Sequence, residues 1–171
     1  MTGKAGLLLG TGSRYAPQWL KQEVHSRLTV LCEATQRVYG IEKFTVLEGG
    51  ASGIDSEFKQ WALTVQGLNV DRIRMCADWG ADCDPAQCAP GHRRTRPNGS
   101  TYCPAQGVYR NQRMVDYAAE QQRAGLWVHV VAFFENPKST GTLDCVRRAR
   151  AAGLPVLEYG NAPGRQGKKA G

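Results

Sequence analysis

No stretch of this sequence stays apolar for long: the N-terminal run Leu7-Leu8-Leu9 is the nearest approach, and a membrane-spanning helix needs about 20 such residues. The run is also too short for the h-region of a signal peptide, so a cytoplasmic location with no membrane partner is the expectation. Aromatic residues are scarce at 8%, which argues against the exposed stacking platforms that single-stranded nucleic acid requires. Of the three histidines, His25 falls in an expected helix and His129 in an apolar strand, positions where histidine is structural more often than catalytic. Acidic residues are outnumbered 15 to 22 by lysine and arginine, for a net charge of +7. That surplus admits anionic partners from nucleotides to nucleic acid without selecting one. Cysteine is not scarce. Six of them (Cys32, Cys76, Cys83, Cys88, Cys103 and Cys145) read as thiols or metal ligands in a reducing compartment rather than as a disulfide framework.

The 171 residues, 42% apolar and 22% charged, suit one globular domain with its own core. Its centre of organisation is Glu48-Gly49-Gly50-Ala51-Ser52-Gly53-Ile54-Asp55. Phe44 to Leu47 ahead of it reads as a buried strand, and Ile54, Phe58, Trp61, Ala62 and Val65 behind it recur at helical spacing. Glycines in such a turn let the backbone bend tightly and approach a bound group, and free amides at the following helix start favour an anion.

Other segments repeat the pattern. A strand over 5–9 meets Gly10-Thr11-Gly12-Ser13-Arg14, and Pro17 opens a helix whose Leu20, Val24, Leu28, Leu31 and Val38 run to Tyr39, with Gly40 as its stop. A more polar third strand over 70–75 is expected nearer a sheet edge. A helix over 108–123 carries Asn111, Met114, Val115 and Ala118 on one side, and the most apolar strand spans 127–133. Ser139 or Thr140 can cap a helix running to about Ala152, with Asp144 placed to favour its dipole. A last strand covers 155–158. Strand and helix alternate throughout, which predicts a Rossmann-like three-layer α/β/α domain over 1–159, with a mainly parallel sheet of about five strands. Residues 160–171 read as a basic flexible tail.

Residues 76–106 interrupt this alternation without a period of their own. A loop of that length is usually functional or held by something. Cys83, Cys88, His92 and Cys103 lie within it at C-x4-C-x3-H-x10-C spacing, four soft donors that suit a closed, structural tetrahedral zinc site. Bound metal would also order the loop, since binding energy becomes folding energy. The alternatives are free thiols, a Cys83–Cys88 redox pair, or Cys76 as fourth ligand in place of His92.

In order along the chain, Gly12-Ser13-Arg14, the glycine stretch from Gly49 to Asp55, Ala77-Asp78-Trp79, Arg110-Asn111 with Met114, and Ser139-Thr140-Gly141-Thr142 resemble the SLOG superfamily, which takes its name from the Smf/DprA and LOG branches. The match is nearer still to its YspA, or cpYpsA-related, group of phages and bacteria. The resemblance covers roughly residues 5–158. It implies a Rossmann-like fold with a pocket for a nucleotide or nucleotide-derived ligand, and a host-cytoplasmic setting if a phage encodes the chain. It leaves sensor and enzyme both open.

In such a pocket Gly49, Gly50 and Gly53 would bring backbone amides close, with Ala51 and Ser52 between them. Ser139, Thr140, Gly141 and Thr142 would form a second phosphate cradle at a helix start. Arg14 and Arg110 are the candidate clamps, because guanidinium offers a planar fork. Asn111 can read a base or sugar, or cap its helix. Asp55 can hold a ribose hydroxyl or act as an acid–base group, the helix dipole being its simpler use. Arg93, Arg94, Arg96, Arg147, Arg148 and Arg150 read as surface charge. Binding of such a ligand is the leading expectation. A LOG-type hydrolase of nucleoside monophosphates is the alternative, weakened because Cys145 stands where that motif carries its glutamate; Asp144, Asp55 or Glu48 would have to substitute from a different geometry, with Asp55 and Glu48 as the candidate catalytic carboxylates. DprA-like binding of single-stranded DNA is a further alternative, and a homodimer is compatible with the helix faces.

Overall fold

The computed structural model describes residues 4–164. Seven strands and four helices follow in the order β1 (Lys4–Gly12), α1 (Gln18–Tyr39), β2 (Ile41–Glu48), α2 (Ile54–Thr64), β3 (Val70–Arg74), β4 (Arg94–Thr95), β5 (Thr101–Tyr102), α3 (Gln106–Arg123), β6 (Trp127–Phe134), α4 (Thr140–Ala151) and β7 (Val156–Gly160). Five strands form one sheet in the order β3-β2-β1-β6-β7, every pairing parallel. The α/β expectation holds, and polar β3 takes the edge.

Period-two alternation splits the strands between two cores. Leu8, Phe44, Val46, Val131 and Phe133 face α1 and α2, where Leu20, Val24, Leu28, Ile54, Phe58 and Trp61 meet them. Leu7, Leu9, Val128 and Val130 face the other way, onto Met114, Val115 and Ala118 of α3 and Cys145 and Ala149 of α4. A sheet covered on both sides explains why its central strands read as unbroken apolar runs. The stripe of α1 departs from expectation at its end: Cys32 and Thr35 are buried, while Val38 is 70% exposed. The residue that keeps helical phase with Leu28 is the one that reaches the core.

Three boundaries move. β1 runs on through Gly12 instead of stopping at Leu9. The excursion, expected to lack elements, holds the β4–β5 hairpin, in which Arg94 pairs with Tyr102 and Thr95 with Thr101. The expected tail begins too early: Gly160 closes β7, the Asn161 amide donates to the Phe134 carbonyl at 2.8 Å, and Ala162 is buried. Residues 165–171, the rest of that basic tail, lie outside the described residues.

α2 is seated on the end of β1 by two glycines. A Cβ on Gly12 would strike the Ile54 side chain, and one on Gly53 would strike the Arg14 and Ser13 carbonyls. Gly53 has φ +78°, a region costly for other residues. The close approach lets the Ile54 amide donate to the Ser13 carbonyl at 3.1 Å. Gly53→Ala is therefore expected to lower stability by about 2 kcal/mol or more. Gly141→Ala, where a Cβ meets nothing within 4 Å, is expected to stay within about 1 kcal/mol of the parent. Urea unfolding of the two variants checks the contrast.

Candidate functional site

The sheet reverses its direction of growth at β1: α1 and α2 cover one face, α3 and α4 the other. The chains leaving β1 and β6 therefore diverge at their carboxyl ends, the place where open α/β sheets bind ligands. A cavity of about 420 Å³ lies there, between the segments around Ser13, Asp55, Arg110 and Ser139.

Ten of the expected binding residues line it: Gly12, Ser13, Arg14, Ala51, Asp55, Arg110, Ser139, Thr140, Gly141 and Thr142. Ser13 fastens the two loops together. Its hydroxyl accepts the Glu135 amide at 2.9 Å and lies 2.7 Å from the Ser139 hydroxyl. Ser139 holds the N-cap position of α4 without a side-chain capping bond, and the Leu143 amide donates to the Ser139 carbonyl at 2.9 Å. The amides of Thr140, Gly141 and Thr142 occupy the turn that helix geometry leaves without intrahelical partners. The three residues line the cavity, and Gly141 adds no side chain there.

The glycine turn after β2 behaves differently from the expectation of free amides. The Gly50 amide donates to the Glu48 carboxylate, and the Ala51 amide donates to Asp55 at 3.1 Å. Arg110 reaches in from α3, donating to the Gly49 carbonyl at 2.7 Å and standing 3.7 Å from Asp55. A Cβ on Gly49 would occupy the place of that guanidinium and displace it. Gly49, Gly50 and Gly53 thus shape the floor from beneath, and Ser52 faces a second, adjoining cavity.

Glu48 is 1% exposed and pairs with Arg72 at 3.1 Å; it does not line the cavity. Asn111 is buried between α3 and α4, donating to the Gly141 carbonyl at 3.2 Å and to Asp144 at 3.1 Å. It steadies the start of α4 from behind. Asp144 lies past the first turn of α4 and also receives Arg148 at 2.9 Å and Arg147 at 2.8 Å. Cys145 is fully buried, and burial pushes its thiol up to about 12.

Several lining residues lie at or beside the expected strand ends without having been named as candidates. Lys138, Tyr15, Glu135 and Asn136 all belong to the rim. The Asn136 side chain accepts the Lys138 amide at 2.9 Å, a local turn that fixes the lysine's backbone. The rule that strand ends carry the site points to them, since Tyr15 follows β1 and the other three follow β6 directly. Arg96, Arg148 and Arg93 are more than surface charge. Arg96 sits 4.7 Å over the Tyr102 ring, Arg148 joins Asp144 and Gln112, and Arg93 donates to the Ala81 carbonyl at 2.7 Å, beside Cys83.

The excursion brings its four expected donors together: the Sγ atoms of Cys83, Cys88 and Cys103 and a ring nitrogen of His92 all lie within 4.8 Å of one another. His92 Nε2 is 3.0 Å from Cys103 Sγ and 3.4 Å from Cys83 Sγ, and Cys88 and Cys103 are 3.9 Å apart. Metal–ligand bonds of about 2.0–2.3 Å give a tetrahedron with edges of roughly 3.3–3.8 Å, so this set can hold a metal ion. The tautomer fits too. His92 Nδ1 lies 2.9 Å from the Ala89 carbonyl, which can only accept, so Nδ1 carries the proton and Nε2 offers its lone pair. Tyr109 Oη, from α3, stands 3.0 Å from Cys88 Sγ. Cys76, the alternative fourth ligand, is exposed and outside the cluster.

Burial raises Asp55 to about 6, against an ordinary 3.8, with Arg110 and the Ala51 amide pulling the other way. The folded chain therefore holds this proton more tightly than the unfolded one, and stability is lost as pH rises from about 4 through 6. Relative to Asp55→Asn, the parent is expected to lose about 2 kcal/mol between pH 4 and 7. Urea unfolding across that range checks it, and a flat difference would refute the assignment. For the metal cluster, Cys103→Ser is expected to lose bound metal and Cys76→Ser to retain it, read by elemental mass spectrometry of the purified chains.

Among the described residues no helix is long and apolar enough to cross a membrane. No family model matches the chain. It is 32% identical over 127 residues to the Gene 61 protein of Mycobacterium phage D29, a match that covers 73% of this chain and 76% of that protein. On that likeness the chain belongs to the family of this phage Gene 61 protein.

Proposed function

We propose that this chain binds a nucleotide or nucleotide-derived ligand at the carboxyl edge of its sheet, as a YspA-type member of the SLOG superfamily, with structural zinc closing the neighbouring loop. One observation carries the reading: segments far apart in sequence converge on a single cavity that combines Arg14, Arg110, Lys138 and the uncapped start of α4. Fixed cations and oriented amides together suit a phosphate. Zinc is the metal best matched to three thiolates and one imidazole in a site with no further position for water. It would fasten the loop without taking part in chemistry.

A hydrolytic reading draws support from one feature. Asp55 lines the cavity and is raised to about 6, where a carboxyl group can serve as acid or base near neutrality. Release of free base from nucleoside monophosphates, lost in Asp55→Asn, would establish it.

Calorimetric titration with AMP tests the binding reading. Arg14→Ala and Lys138→Ala should each weaken binding about tenfold without loss of stability, since both residues are exposed. Absence of binding by AMP, ribose 5-phosphate and inorganic phosphate alike would refute it. Sulfate, whose charge is constant over the range, should bind more weakly as pH rises through about 6 and Asp55 ionises beside it. Asp55→Asn should remove that dependence. Elemental analysis of the protein as purified should find one zinc per chain.

A further inference from the structure

Beside the main cavity lies a second one of about 380 Å³, which shares Arg14 and Ala51 with it and is completed by Ser52, Trp79, Arg96 and Tyr102. Its walls are flat. The Trp79 and Tyr102 rings meet edge to face, with centroids 6.3 Å apart and planes at 79°. The Arg14 guanidinium lies 5.7 Å from the Trp79 centroid and that of Arg96 lies 4.7 Å from the Tyr102 centroid. Aromatic faces and stacked guanidinium planes attract a planar, π-rich group, and arginine can donate to ring nitrogens and carbonyl oxygens at its edge.

The placement of this cavity matters as much as its lining. Arg14 belongs to both chambers, so a ligand with its anionic end against α4 would reach the second with whatever is joined to that anion. Three of the six lining residues come from the excursion. Arg96 and Tyr102 sit on or beside the β4–β5 hairpin, which the metal-ligand candidates His92 and Cys103 bracket in sequence. The Trp79 carbonyl accepts the Cys103 amide at 3.1 Å, and its ring packs where a Cβ on Gly107 would fall, 3.0 Å away.

We infer that this second cavity is a nucleobase subsite built by the metal loop, so that the ligand is a nucleoside 5′-phosphate or a derivative retaining its base, and that metal occupancy governs recognition of the base but not of the phosphate. This rests on the anion-binding reading of the first cavity and adds to it the class of the ligand and a dependence on metal.

The test compares AMP with ribose 5-phosphate, which has the same phosphate and sugar but no base, by calorimetric titration of the full metal-loaded chain. AMP should bind about tenfold tighter or more, as stacking on such side chains implies. Tyr102→Ser and Trp79→Leu should each shrink that preference and leave ribose 5-phosphate affinity unchanged. Removing the metal with a chelator should do the same. Metal content of both variants is measured alongside, and Tyr102→Phe, which keeps the ring, should retain the preference. AMP, but not ribose 5-phosphate, should also change the tryptophan fluorescence of the parent by an amount missing in Trp79→Leu. Equal affinity for the two ligands, or a preference untouched in metal-loaded Tyr102→Ser and Trp79→Leu, overturns the subsite and leaves the anion cavity standing. Failure of both ligands to bind overturns both.

Discussion

Two parallel strands that lie side by side, yet send their connections to opposite faces of a sheet, must part at their carboxyl ends. β1 and β6 are such a pair: β1 leads to α1 on one face and β6 to α4 on the other. Everything in the site is arranged around that parting. Ser13 bridges it through Glu135 and Ser139, Gly12 and Gly53 let α2 close its flank, and Arg110 enters from α3 to complete the floor. The gap follows from topology, and the side chains determine what can fill it.

The two helix starts facing the gap divide the work. At α2 two amides of the glycine turn, those of Gly50 and Ala51, are taken by the carboxylates of Glu48 and Asp55. Those two donors are not free for a ligand, and what the turn presents to the cavity is Ala51 and the carboxyl group of Asp55. At α4 the capping hydroxyl is drawn away to Ser13, so the first-turn amides keep their partial positive charge. Arg14 and Lys138 line the same cavity, and Arg110 adds a third cation from the floor. In the proposed binding mode the floor is thus a spacer that carries a titratable carboxyl group, and the wall receives the anion.

Much of this was legible beforehand, for reasons tied to particular residues. The unbroken run from Trp127 to Phe134 and the helical phase of Leu20, Val24 and Leu28 report burial directly, which is why the α/β architecture could be read. Cys83, Cys88, His92 and Cys103 were legible because their chemistry is scarce and their spacing short. What stayed hidden depends on partners distant in sequence. Nothing in Gly49 announces that Arg110 will lie against it, and nothing local tells Ser13 to bond Ser139 rather than a ligand. Arg96 and Tyr102 look like ordinary loop residues until the hairpin turns them toward Arg14. Glu48, in contrast, resembled a catalyst only until its burial against Arg72 was seen.

The Cys/His excursion leaves the scaffold after β3, an edge strand, and returns at the start of α3. None of its residues belongs to the five-stranded sheet, and Cys103 is its one buried apolar anchor. It is a cassette clipped to the side of a finished domain. Neither core draws a residue from it, so lengthening or shortening it would alter the neighbourhood of the cleft and leave the twin-cored body beneath with its packing intact.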